Sequence, residues 1–251
     1  MLESADIWGT SMRAALALTA AIISLGLAAG TAQAEASLAG HWRLDEASGV
    51  TTVDAVTGST ATLSGGAAFG AGKSGSGLVL DGGTAAGPLT VDTGQSFTVS
   101  AWVALPAPCT SSCNLVAVSG DGVRSSRFSL AYLRNRDHPG NWSFSVAEAD
   151  TDRAPVTSAA VSGVPEEVSG WTHLVGVYDA QDQRVRLYVN GSLVGEGTTL
   201  NQWSGTGGFT VGAARKAGVA AGFFPGSVDE VRFHGDVLTH DEVFALYLDQ
   251  V

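Results

Sequence analysis

A period-two alternation of apolar and polar residues is the feature that most constrains how this chain folds. In residues 96–105, SFTVSAWVAL, every second residue from Phe97 to Val103 is apolar, and Thr98 and Ser100 lie between them. The same pattern recurs in three further segments, RFSLAYL at 127–133, NWSFSVA at 141–147 and WTHLVGVYD at 171–179. Because side chains alternate between the two faces of a strand, this periodicity predicts β-strands.

Glycine-rich turn signals separate these segments. The chain has 33 Gly in 251 residues, about twice the usual share. Asn190-Gly191 stands between VRLYV and SLVGEG, and both central residues of a tight hairpin turn favour positive φ. The sequence therefore predicts that these two strands pair.

Only one segment favours a helix. In LTHDEVFALYL, which starts at residue 238, Thr239 and Glu242 form a capping box, and Val243, Leu246 and Tyr247 fall on one face. About a dozen short strands and one short C-terminal helix predict an all-β fold, an antiparallel two-sheet sandwich. Within it, Trp42, Trp102 and Trp171 are expected to anchor the core between the sheets.

The charge balance argues against some partners. The chain carries 24 acidic and 13 basic residues, a formal net charge of -11. Such a chain repels phosphate backbones and anionic lipid headgroups. We expect no nucleic-acid partner.

The N-terminal segment has the three parts of a secretory signal. Residues 12–34 contain one Arg, an apolar run from Ala14 to Ala29 and a small-residue ending, Ala-Gln-Ala. We expect translation to start at Met12 and cleavage to follow Ala34. Residues 1–11 then lie upstream of the start, residues 12–34 are removed as the signal peptide, and residues 35–251 form a single secreted domain without a membrane span.

Two cysteines occur, in PCTSSCN at Cys109 and Cys113. A redox pair needs the tighter C-x-x-C spacing, and a zinc site needs ligands that this loop lacks. In a secreted chain, the spacing predicts one small disulfide that pins the loop.

Five stretches in order resemble the laminin G-like jelly-roll domain of the concanavalin A-like lectin/glucanase superfamily, in its bacterial secreted form. They are HWRLDEASGVTTVDAVTG, SGSGLVLDGG, SFTVSAWVAL, GWTHLVGVYDAQDQRVRLYVNGSLVG and GFFPGSVDEVRFHGDVLTHDEVFALY. The similarity covers roughly residues 38–250. It implies a curved jelly-roll sandwich of two antiparallel sheets in which the first and last strands are neighbours.

The stretch EADTD at 148–152 raises the question of catalysis. Glucanases of this superfamily carry Glu-x-Asp-x-Glu on a strand, and their outer glutamates act as nucleophile and acid/base. Glu148 and Asp150 match that motif, but Asp152 is one methylene too short for the spacing of a retaining pair. The Pro-containing loop TDRAP follows. We expect an acidic loop, and a glycoside hydrolase or polysaccharide lyase that uses these three residues is the alternative.

The resemblance also implies a structural calcium ion where the first strands meet the last one. Calcium takes six to eight oxygen ligands, which strand-end carboxylates and backbone carbonyls supply. The candidates are Asp229 and Asp81, with Asp45 or Glu46 as the third ligand. Ordinary turn chemistry is the alternative, since Asp-Gly is a favoured turn pair. No organic cofactor is expected.

A candidate ligand surface mixes aromatic and hydrogen-bonding side chains on two neighbouring strands and the turn between them. Its members are Tyr132, Arg134, Asp137, His138 and Trp142. We expect a secreted, non-catalytic binding module that recognises a glycan or a cell-surface or matrix protein. A structural adhesion or envelope protein is a third possibility.

Overall fold

The computed structural model describes residues 37–160 and 170–248. The predicted signal segment, 1–34, lies outside the described residues. Within the described residues the chain forms two antiparallel β-sheets that enclose a common core, with one short helix at the C-terminal end. This confirms the all-β sandwich predicted from the periodicity.

The strands follow one another with short connections. In chain order they are β1 (Leu38–Trp42), β2 (Thr51–Val53), β3 (Thr60–Ser64), β4 (Ala67–Ala71), β5 (Ser76–Leu80), β6 (Thr84–Gly87), β7 (Phe97–Ala104), β8 (Cys113–Asp121), β9 (Ser126–Arg134), β10 (Asn141–Ala147), β11 (Val156–Ala160), β12 (Thr172–Asp179), β13 (Arg184–Val189), β14 (Ser192–Thr198), β15 (Phe209–Val211), β16 (Ala214–Lys216), β17 (Val219–Ala221) and β18 (Ser227–His234). The helix α1 (His240–Leu248) ends the described chain.

The two sheets differ in their connections. Sheet A has the order β14-β13-β12-β7-β18-β5-β4, and β1 also pairs with β18. Sheet B has the order β11-β10-β9-β8-β15-β6-β3-β2, and β16 and β17 form a separate hairpin. The antiparallel pairing of β1 with β18 places the first strand beside the last one, as the resemblance implied.

Alternating residues of both sheets build the core. In β7, Phe97, Val99, Ala101 and Val103 point inward and are fully buried. They meet the inward residues of sheet B, which in β9 and β10 are Phe128, Leu130, Tyr132, Trp142, Phe144 and Val146. Trp42 lies between the sheets, with its ring 4.3 Å from that of Phe209.

The three tryptophans expected in this core have different positions. Trp42 lies in the core between the sheets, as expected. Trp102 points to the opposite face of β7 from Val103, so it lies on the outer face of sheet A, buried beneath α1. Its ring is 5.8 Å from that of Tyr247 on the helix. Trp171 is half-buried just before β12. The expectation was wrong for Trp102 and Trp171, because strand parity decides which face a side chain joins.

The local signals formed the predicted elements. Asn190 and Gly191 have φ of 48° and 78° and connect the paired strands β13 and β14. The Glu242 carboxylate accepts hydrogen bonds from the backbone N–H and the hydroxyl of Thr239, both at 2.7 Å, which completes the capping box. No helix in the described part of the chain is long and apolar enough to span a membrane.

Candidate functional site

A groove of about 500 Å³ lies on the outer face of sheet B. Its floor consists of outward residues of β8, β9 and β10, among them Val116, Ser129 and Ser145. One wall is the hairpin of β16 and β17, and the other is the loop at residues 151–154 with the start of β11. The volume lies within the range of ligand-binding pockets.

A row of four serines crosses sheet B, and its two middle members, Ser129 and Ser145, lie at the groove floor. Ser119, Ser129, Ser145 and Ser158 stand directly opposite one another on the adjacent strands β8, β9, β10 and β11. The hydroxyls of Ser145 and Ser158 are 2.7 Å apart. Each hydroxyl donates one hydrogen bond and accepts two, so Ser129 and Ser145 offer both functions to a hydroxylated ligand. Ser119 does not, because it is completely buried and donates to Asp121.

The hairpin wall is tied to the turn between β8 and β9. The backbone N–H of Arg215 donates to the Ser126 hydroxyl at 2.7 Å, and that of Gly218 donates to the Arg124 carbonyl at 2.8 Å. Ala217 and Gly218, at the hairpin tip, have φ of 50° and 80°. These contacts place Arg215 and Lys216 along the groove.

Asp150 attaches the opposite wall to the same turn. Its carboxylate accepts the backbone N–H groups of Val123, Arg124 and Ser125, at 2.8, 2.7 and 2.8 Å. Partial burial opposes ionisation of this carboxyl, but the three hydrogen bonds outweigh it and hold the pKa of Asp150 below its ordinary value. Asp150 is therefore a structural carboxylate of the groove.

Glu148 has a similar structural role at the end of β10. Burial opposes its ionisation, yet four hydrogen bonds hold the pKa of Glu148 below its ordinary value. The donors are the hydroxyls of Thr157 and Thr199, at 2.7 and 2.8 Å, and the backbone N–H groups of Leu200 and Asn201, at 3.2 and 2.8 Å. They connect β10 to β11 and to the segment after β14.

Asp152 is the one carboxylate of the acidic stretch that lines the groove. Its carboxylate lies 2.6 Å from Nε of Arg124, and this hydrogen bond lowers the pKa of Asp152. Glu148 and Asp150 are held ionised as well, whereas a general acid requires a raised pKa. The three carboxylates therefore hold the groove walls and the neighbouring segments in place, and none of them has the properties of a hydrolytic general acid.

The sequence from β5 to α1 identifies the family. Residues 80–244 match the Laminin G 3 family of the concanavalin A-like lectin/glucanases superfamily. The chain belongs to this superfamily. The sequence matches none of the curated proteins with which it was compared.

Several solved structures share the fold. Domain 4 of AbnA, a GH43 extracellular arabinanase from Geobacillus stearothermophilus in complex with arabinotriose, is 20% identical, with a TM-score of 0.61 over 84% of this chain and 98% of that one. The Trypanosoma rangeli sialidase is 20% identical, with a TM-score of 0.61 over 86% of this chain. The binding domain of botulinum neurotoxin serotype G is 14% identical, with a TM-score of 0.61 over 79% of this chain.

These likenesses establish a common concanavalin A-like fold. The chain spans 33% of the sialidase and 48% of the neurotoxin binding domain, whereas it covers nearly the whole arabinanase domain. The arabinanase domain is thus the neighbour of comparable size.

Two of the five predicted ligand-binding residues lie in the core of this concanavalin A-like domain. Tyr132 and Trp142 have no exposed surface, and their rings contact each other at 5.4 Å between the sheets. They share strand parity with the inward residues Leu130 and Phe144, which is why a surface ligand does not reach them. We therefore assign both to packing.

The other three predicted ligand-binding residues lie at the turn between β9 and β10, outside the groove. They are Arg134, Asp137 and His138. Arg134 donates from Nη1 to the carbonyl of Cys109 at 2.7 Å. The backbone N–H groups of Asp137 and His138 donate to Oδ1 of Asn135, each at 2.9 Å. Cys109 is disulfide-bonded to Cys113, which confirms the predicted bond.

Asp229, a predicted calcium ligand, is completely buried on β18. Its Oδ2 accepts the N–H groups of Lys73 and Ser74, at 2.8 and 3.0 Å, and its Oδ1 accepts that of Glu230 at 2.9 Å. Burial, which outweighs these hydrogen bonds, raises the pKa of Asp229 to about 7.

The remaining calcium candidates, Asp45, Glu46 and Asp81, have different surroundings. Asp45 accepts the N–H of Ser76 at 3.1 Å, and Glu46 accepts that of Val53 at 3.0 Å. Asp81 is exposed just after β5. In residues 37–160 and 170–248, no three His, Cys, Asp or Glu side chains are placed to share a metal ion. The calcium site stays a prediction.

Sequence reasoning missed the residues that line the groove. Ser129 and Ser145 are the polar members of alternating strands, and their outward parity was readable from the sequence. Arg215 and Lys216 directly precede the Ala217-Gly218 turn, and an Ala-Gly pair between two short strands is a weak hairpin signal. Arg153 lies in the loop that was predicted to be solvated, and no local signal connects it to the other wall.

Proposed function

We propose that this protein is an exported, non-catalytic domain that binds a glycan in the groove of sheet B. The observation that carries the proposal is the pair of hydroxyls at the groove floor, those of Ser129 and Ser145, between two walls that are both fastened to the turn at residues 122–125. Preformed walls reduce the conformational entropy that the protein must lose on binding a ligand. The arabinanase domain, solved with arabinotriose, supports a glycan as the ligand class.

The carboxylates support a binding role over hydrolysis. Glu148 and Asp150 accept four and three hydrogen bonds from the protein, and Asp152 is paired with Arg124. A glycosidase needs one carboxylic acid with a raised pKa facing the bond that it cleaves. Among the described residues, Asp229 is the carboxyl with a clearly raised pKa, and it has no exposed surface.

Export is supported by two independent features. The Cys109–Cys113 disulfide is typical of oxidising compartments, and residues 12–34 carry the pattern of a secretory signal. The glycan is then part of an extracellular polysaccharide or of a cell surface.

Affinity electrophoresis against a panel of plant and microbial polysaccharides, each with calcium and with EDTA, tests the function. We expect retardation by at least one polysaccharide. Ser145→Trp should abolish it, because an indole on the floor fills the groove, and Ser192→Trp, on an exposed edge strand of sheet A, should not. Binding that survives Ser145→Trp would move the site elsewhere, and silence on every glycan would contradict the proposal in favour of a protein partner.

A further inference from the structure

Basic side chains gather along the groove of an acidic protein. The chain carries 24 acidic and 13 basic residues, yet three bases and one acid line this groove. The bases are Arg153, Arg215 and Lys216, and the acid, Asp152, is already paired with Arg124. Among the described residues, the ion pairs include none of the three bases.

Arg215 is the best positioned of the three. Its backbone is tied to Ser126, and its Nη1 donates to the carbonyl of Gly218 at 3.3 Å. Its Nε is buried and has no hydrogen-bond partner within the described residues. Nε itself has no exposed surface, but Arg215 lines the groove and has no carboxylate partner among the described residues. Its guanidinium can therefore form a charge-assisted hydrogen bond with a ligand, which is roughly twice as strong as a neutral one.

The acids nearest to the groove are already hydrogen-bonded. Asp121, buried beneath the hairpin, accepts hydroxyl hydrogen bonds from Ser119, Ser126 and Thr210. Asp150 accepts three backbone N–H groups in the opposite wall. The three bases are therefore the charged groups lining the groove that have no charged partner among the described residues.

We propose that the groove selects anionic glycans, in which carboxylate or sulfate groups pair with Arg153, Arg215 and Lys216. This inference rests on the proposed function, since the serine floor binds sugar hydroxyls while the bases bind the anionic groups. The protein as a whole has a net charge of -11 and repels a polyanion, so we expect the attraction to come from the groove. Arg suits planar carboxylate and sulfate groups because its fork of N–H donors binds two oxygens at once.

Matched ligand pairs separate charge from sugar shape. Calorimetry would compare polygalacturonate with its methyl ester for the carboxylate arm, and dextran sulfate with dextran for the sulfate arm. We expect the charged member of one pair to bind at least about tenfold more tightly than its neutral partner. That advantage should shrink as salt rises from low to high concentration, because ions screen the attraction.

Variants localise the effect to the groove. Replacing the three bases together, in Arg153→Gln, Arg215→Gln and Lys216→Gln, should remove the preference for the charged ligand. The control removes the same charge away from the groove, in Arg43→Gln, Arg136→Gln and Arg184→Gln, and should keep the preference. Circular dichroism and thermal melting verify that both triple variants are folded.

The outcomes distinguish this inference from the function on which it rests. If neutral and charged members bind equally and Ser145→Trp blocks both, the glycan-binding function stands and the anionic preference is wrong. If both triple variants lose the preference to the same extent, net charge explains it and the inference is again wrong. If no glycan of either kind binds, both proposals fall.

Discussion

At the scale of single residues, His173 is the most unusual side chain of the domain. It is completely buried on the outer face of sheet A, with its ring 5.1 Å from Trp102 and 6.0 Å from Tyr247. Neither ring nitrogen has a hydrogen-bond partner among the described residues. Burial, and then the charge of Arg232, lower the pKa of His173 to about 3.

This histidine makes the stability sensitive to acid. In the unfolded chain its pKa is about 6.5, so between pH 6.5 and about 3 the unfolded state binds more protons than the folded state. The free energy of unfolding therefore falls as the pH falls through that window. Asp229 acts in the opposite direction, because its raised pKa makes its contribution fall as pH rises from about 4 to 7.

Replacing His173 with Phe should reduce the acid sensitivity. Urea unfolding of both proteins at pH 7, 6, 5 and 4 measures the effect, and Asp229, present in both, cancels in the comparison. We expect the advantage of His173→Phe to grow by up to about 1.4 kcal/mol for each unit of pH below 6.5. Parallel stability curves would show that the imidazole takes up its proton without unfolding.

At the scale of elements, the loop between β10 and β11 depends on one carboxylate. Asp150 supplies the acceptor for three consecutive N–H groups of the turn between β8 and β9. The tip of the hairpin of β16 and β17 is also hydrogen-bonded to that turn. Both groove walls are therefore attached to the same turn. Asp150 thus keeps the width of the groove constant.

Asp150→Ala should loosen both walls without unfolding the domain. We expect a loss of about 1 kcal/mol in the free energy of unfolding, since water replaces part of the lost hydrogen bonding at an exposed turn. Amide hydrogen exchange should accelerate at Val123, Arg124 and Ser125. Asp152→Ala, which removes only the contact with the Arg124 side chain, is the control and should leave these three amides slow. Unchanged exchange in Asp150→Ala would disprove the structural role.

Local elements were predictable from the sequence. Which face of a strand each side chain occupies was predicted correctly only for some residues. The hairpin at Asn190 and Gly191 and the cap at Thr239 formed as expected, because a few adjacent residues determine each of them. Tyr132 and Trp142 were assigned to a ligand surface because they are aromatic beside polar residues. The parity that they share with the core was available in the sequence and would have corrected the assignment.

At the scale of the whole molecule, the groove arises from segments far apart in the chain. Its floor comes from β8, β9 and β10, and the hairpin that forms one wall begins at Ala214, about 70 residues after Ser145. Strand order determines which segments meet, and periodicity carries no information on strand order. The sandwich was therefore readable from the sequence, whereas the site was not.

The most direct test of the account is to locate a bound oligosaccharide on the folded domain. Chemical-shift mapping would use the isotope-labelled protein and the tightest-binding oligosaccharide of the panel. We predict that saturable shift changes cluster at Ser129, Ser145, residues 151–154 and residues 214–216. Changes centred on the outer face of sheet A beside α1, or no saturable change with any oligosaccharide, would contradict it.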